Sequence, residues 1–181
     1  MSVRSGILAV LSLGPAYGSQ VHGEIEARTE RHGQINVGQI YSTLERLQTR
    51  GLVSANGLTD DGLPLYALTS SGRLEVEAWL SEAERDPSWA DFVSHVLMAA
   101  SLPHAPVFSL LTSYRRLFAS KPVAVDDASP SLAALAAARF DEAALDWLDA
   151  VEAALQQPHA LARPLGDIRP RRGRRPSKAV G

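Results

Sequence analysis

The chain has 181 residues, 45% of them hydrophobic, and a formal net charge of −2. That length and composition suit one or two compact domains with a real core and exclude disorder by composition. There is no cysteine, so disulfides and thiolate metal sites are excluded and a reducing compartment is expected. The net charge hides an asymmetry: from Arg163 onward there are seven bases against one acid, leaving 11 bases against 19 acids in the first 162 residues. An acidic body with a basic tail is the result.

Taken in chain order, residues 4–13 (RSGILAVLSL) suit a short helix with Ile7, Val10 and Leu11 on one face. GPAYG at 14–18 reads as a turn with two breakers. Residues 19–31 then run helical from a Ser19 cap, with Val21 and Ile25 one turn apart. A third helix is predicted over 37–50, capped by Asn36 and stopped by Gly51, with Val37, Ile40, Leu44 and Leu47 as its buried stripe.

The period then changes from helical to alternating. Two strands are predicted around 52–57 and 64–69, joined by a turn at Asp60-Asp61-Gly62. Thr69 caps a helix over 70–85, with Leu74, Val76, Trp79 and Leu80 as apolar positions. Asp86-Pro87 breaks the chain, and helices follow over 88–101 and 107–119. Ser129-Pro130 starts a long helix that runs to about Gln157. Residues 158–181 have Pro, Gly and Arg in place of periodicity and are expected to be disordered.

The expected fold is therefore mainly α with a two-stranded β wing. Residues 1–85 form a winged helix-turn-helix, 86–157 a helical dimerisation and effector region, and 158–181 a basic tail. In the long helix, Phe140, Ala144, Leu148, Val151 and Leu155 recur at three or four residues, widened by Leu145 and Trp147. A stripe of that kind needs a cover, and a second copy of the chain would supply one.

Three stretches then resemble a known family: ILAVLSLGPAYG, NVGQIYSTLERLQTRGLV and GLPLYALTSSGR, in order and spacing over residues 7–80. Together they are similar to the PadR family of bacterial transcriptional regulators. The C-terminal part, with SWADFVSHVLMAA and DWLDAVEAAL, resembles the family's helical dimerisation region more loosely. The resemblance implies a homodimeric, repressor-type protein whose long C-terminal helix packs across the dimer, with planar aromatic effectors in some members.

On the predicted 37–50 helix, Gln39, Ser42, Arg46 and Thr49 fall opposite Ile40, flanked by Tyr41, Thr43 and Arg50. Side chains of these types can meet base edges and phosphates in a major groove. The helix start at Asn36, Gly38 and Gln39 offers free amides to a phosphate. The bland reading is the polar face of any surface helix. Tyr41 has two readings, a core-edge ring or a phosphate contact suggested by the resemblance. Glu45 borders this surface and would repel phosphate.

Relatives often carry a basic residue between the Gly and Pro of the wing; here Leu63 stands there behind Asp60 and Asp61. Two carboxylates oppose DNA binding. The tail supplies a candidate substitute: Arg172-Gly173-Arg174 in RPRRGRRPSK looks like an AT-hook, whose Arg-Gly-Arg lies in a narrow minor groove. Arg175 before Pro176 departs from that pattern.

Trp89, Phe92, His95, Val96 and Trp147 are a candidate effector seat, with Met98 nearby; aromatics at this spacing also read as ordinary core. The five histidines are scattered, and no phosphate loop or nucleophile elbow is present. Catalytic residues, metal sites and cofactors are not expected. No run reaches the roughly 20 apolar residues of a membrane span, so a cytoplasmic protein is expected. The expected partners are double-stranded DNA with a pseudo-palindromic operator, a second copy of the chain and a small aromatic ligand. The alternative is a winged-helix module that binds another protein.

Overall fold

A computed structural model describes residues 1–120, 131–157 and 161–166. The Ser129-Pro130 helix start and the tail residues Arg172 and Arg174 lie outside the described residues.

Helix α1 (Val3–Leu11) starts at Ser2, whose hydroxyl accepts the Ser5 N–H, and buries Ile7, Leu8, Val10 and Leu11. Chain direction then reverses through Gly14, at φ +147°. The GPAYG stretch does more than turn: Ala16–Tyr17 form a short strand, β1. Helix α2 (Gly18–Thr29) begins at once, with Tyr17 in the cap position and no side-chain cap bond, so Ser19 lies inside the helix. Helix α3 (Val37–Thr49) opens on Asn36, whose side chain accepts the Gly38 N–H at 2.8 Å. Gly51 takes φ +68°, the left-handed conformation that ends a helix cheaply only at glycine.

Strands β2 (Val53–Leu58) and β3 (Pro64–Leu68) form the wing. The sheet is antiparallel in the order β1-β3-β2, with Ala16 opposite Tyr66 and Val53 opposite Leu68. The predicted two-stranded ribbon thus gains a third strand that sews its base to the helix-turn-helix. A two-residue strand has no alternation to read, which is why the sequence hides it.

Helix α4 (Ser70–Ser81) is capped by Thr69, whose hydroxyl accepts the Gly72 N–H and donates to the Gly51 carbonyl. It stops four residues before the predicted end. Val76 and Leu80 are buried, but Leu74 is 69% exposed and does not belong to the core face. Helices α5 (Trp89–Ala100) and α6 (Val107–Ala119) follow, and α7 (Leu132–Leu155) packs on α6.

One contiguous core runs from Ile7 and Ile25 through Ile40 and Leu44 to Phe92, Tyr114 and Leu148. The α7 stripe is covered within the chain. Ala144 and Leu148 are fully buried, Phe140 meets Trp89 and Phe118, and Trp147 meets Phe92. The need for a second copy to cover that stripe therefore falls away. What α7 leaves exposed is its first turn, with Leu132 at 85% and Leu135 at 45%.

Candidate nucleic-acid interface

Helix α3 turns Ile40, Thr43, Leu44 and Leu47 inward. The buried arc is displaced toward Thr43, and Val37 in the first turn is left 44% exposed. Two sequence expectations are corrected here. Val37 is not part of the buried stripe, and Thr43, at 8% exposure, does not stand on the outward face. The reason is that α3 leans on α1, which lies on the Thr43 side.

Gln39, Thr43, Arg46 and Arg50 follow one another at helical spacing and form one wall of a cleft of about 280 Å3. The other wall is the start of α1, with Ser2, Val3 and Arg4. Arg4 forms an ion pair with Glu75 of α4. Three guanidinium groups thus border one cleft, with Asn36, Gly38, Gln39, Arg46 and Arg50 exposed along α3. Sequence reading missed Arg4, because nothing in a short N-terminal helix announces which helix it will touch. Ser42 is half-buried, and its hydroxyl donates to the Gln39 carbonyl.

Tyr41 is 44% exposed, and its ring lies over Gly18 at the start of α2. A Cβ at Gly18 would sit 2.5 Å from the ring. Glycine is therefore required for α2 and α3 to meet this closely. The packing favours the core-edge reading of the ring and leaves its other face in solvent. Tyr66 is half-buried on the sheet, as a structural residue would be.

At the wing tip, Asp60, Asp61 and Gly62 are exposed, and Thr59 closes the turn by accepting the Leu63 N–H. The ribbon from Val53 to Leu68 carries two acids and no base.

The predicted effector residues meet around Phe92, but as packed core. Phe92, His95 and Val96 are wholly buried. Phe92 meets the rings of Tyr114, Phe118 and Trp147 at 4.8–5.1 Å, and Trp79 stacks on His95 at 3.9 Å. Only Trp89 among these is well exposed, at 41%. Met98 is wholly buried too.

The His95 tautomer is dictated by its partners. The Trp79 carbonyl, 3.0 Å from Nε2, can only accept, so Nε2 carries the proton. Nδ1 then accepts from the Tyr114 hydroxyl at 2.8 Å. Burial lowers the imidazole pKa from 6.5 to about 3. With the folded value below the unfolded one, unfolded chains bind the extra proton between those pH values. Stability is complete above pH 6.5 and is lost as pH falls toward 3. Between pH 7 and 5 the expected loss is about 2 kcal/mol, read from urea midpoints. His95→Gln should flatten that slope; an equal slope in both proteins would place the proton elsewhere.

An N-capped polar helix, a helix packed across its start and a three-stranded wing define a winged helix-turn-helix protein with an arginine-lined cleft beside α3. Residues 7–78 match the model of the transcriptional regulator PadR-like family, and the winged domain is similar to that family's. It is 29% identical to the probable transcriptional regulator Rv1176c of Mycobacterium tuberculosis over 150 residues, covering 66% of this chain and 79% of that protein. Among solved structures, Bacillus subtilis PadR in complex with operator DNA aligns at 18% identity with a TM-score of 0.42, covering 84% of this chain and 98% of that one. The same protein in complex with p-coumaric acid aligns at 18% identity with a TM-score of 0.40, covering 86% and 99%. The match over residues 7–78 supports transcription regulation and DNA binding. Among the described residues, no helix is long and apolar enough to cross a membrane.

Proposed function

We propose that this protein is a cytoplasmic, homodimeric repressor that reads a pseudo-palindromic operator with α3. The observation that carries the reading is the cleft lined by Arg4, Gln39, Arg46 and Arg50 beside the exposed start of α3. Its guanidinium groups suit phosphates and guanine edges, while the amide-rich start of α3 suits a phosphate. Two copies present two such helices to two half-sites. The exposed Leu132 and Leu135 on α7 support association, since apolar side chains of that size gain by leaving water.

The test is an anisotropy titration of the duplex upstream of the protein's own gene. Arg46→Ala is expected to weaken binding roughly tenfold or more, the value of one good base or phosphate contact. Absence of binding by the parent chain would favour the protein-interaction alternative. The reading extends to a planar aromatic effector at the rim of the aromatic cluster, where exposed Trp89 meets Phe140 and Trp147. Tryptophan emission should fall on titration with a panel of aromatic compounds; emission unchanged by all of them removes the effector.

A further inference from the structure

The short segment 161–166 lies far along the chain from α2 and is nevertheless tied to it. Arg28 and Glu24 are both buried on α2, with Arg28 Nε donating to Glu24 Oε2 at 2.7 Å. The rest of the guanidinium is spent on carbonyl oxygens. Nη1 donates to Ser101 at 2.7 Å, and Nη2 to Pro164 at 2.7 Å and Arg163 at 3.2 Å. Glu24 Oε1 accepts the Gly166 N–H at 2.9 Å, and Gln20 Nε2 donates to the Gly166 carbonyl at 2.8 Å. The Arg163 N–H donates to the Ser101 carbonyl at 3.0 Å.

Burying two charges is costly, and the mutual attraction of such a pair often does no more than offset it. What this pair does is specify a place. Gly166 is held against Gln20, two residues from the Gly18 that supports Tyr41 of the reading helix. After Gly166 the sequence continues for fifteen residues with six bases and one acid. Fully extended, such a stretch spans about 50 Å at most. The wing, which lacks a base, leaves the flanking phosphates to some other cation.

We propose that the Glu24–Arg28 pair is a clasp that fastens residues 161–166 to the first helix of the helix-turn-helix, so that the arginine-rich tail leaves the body beside α3 and neutralises DNA phosphates flanking the site α3 reads. The proposal rests on the DNA-binding reading above. Tethering raises the local concentration of the tail at the duplex, and a tether fixed near the site does so more than one anchored only at the end of α7.

Three full-length forms test it by anisotropy against the upstream duplex and a scrambled one, at salt from about 50 to 200 mM. In the first, Arg171, Arg172, Arg174 and Arg175 are replaced by Gln. In the second, Glu24→Leu and Arg28→Met are combined, so that neither charge is stranded. The third, Gly166→Pro, removes the N–H given to Glu24 and restrains the backbone there, leaves both charges of the pair in place, and serves where the double variant fails to fold. Neutralising the tail should make the salt slope shallower by roughly 2–4 on both duplexes. The clasp variants should keep the tail's charge, lose affinity roughly tenfold, and lose hydrogen-exchange protection at the amides of Arg163 or Gly166. A parent chain that binds no duplex overturns the DNA reading and the proposal together. A parent that binds with a salt slope indifferent to the tail overturns the proposal alone, as does full affinity in a clasp variant whose Arg163 amide exchanges freely.

Discussion

Replacing Arg28 with methionine is expected to destabilise the fold by about 3–5 kcal/mol, the usual consequence of stranding one member of a buried ion pair. Glu24 is 5% exposed and would keep only the Gly166 N–H, with no cation. The carbonyl oxygens of Ser101 and Pro164 would lose their charged donor as well. Burial already lowers the Arg28 pKa from its ordinary value, and Glu24 opposes that shift, so the charge is held by its partner. Removing Glu24 together with Arg28, as leucine and methionine, should cost clearly less than Arg28→Met alone. The contrast between single and double variants in urea unfolding is the measurement. A single variant costing under about 1 kcal/mol would mean that water reaches Glu24 and the pair is not isolated.

Phe92→Ala is expected to cost about 3–5 kcal/mol, the range for emptying a phenylalanine site in a closed core. Phe92 is wholly buried and is the hub of four aromatic contacts, with Trp89, Tyr114, Phe118 and Trp147. The cavity would not collapse readily. Tyr114 is held by its bond to His95, and Trp147 sits on α7, which Arg115 ties to α6 through Asp149 and Glu152. A fall in Tm on the order of 10 °C is anticipated for a chain of this size. Because Trp147 is the α7 side of the contact, amide protection along α7 should drop more than along α3. Uniform loss along both helices would show that the two halves unfold as one.

Much of the winged domain was legible in the sequence. Asn36, Thr69 and Gly51 announce helix boundaries through local chemistry, and each acts within a few residues of itself. The wing was legible for the same reason, as an alternating run broken at Gly62. The polar set on α3 could be listed, but its order could not. Whether Thr43 or Val37 turns inward depends on the side from which α1 approaches, and that is a property of the packed domain.

The remainder was decided only in three dimensions. Strand β1 is two residues long and exists because Leu65 and Tyr66 lie opposite it. The α7 stripe has the pattern of a dimer seam, yet a stripe records only that something apolar will cover it, and here α5 and α6 do. Glu24 and Arg28, four apart on a helix, read as one more surface pair until residues 161–166 close over them. Local chemistry determined where helices and turns begin and end. Long-range packing decided which of their faces meet, because the partner of each face lies outside any window of sequence.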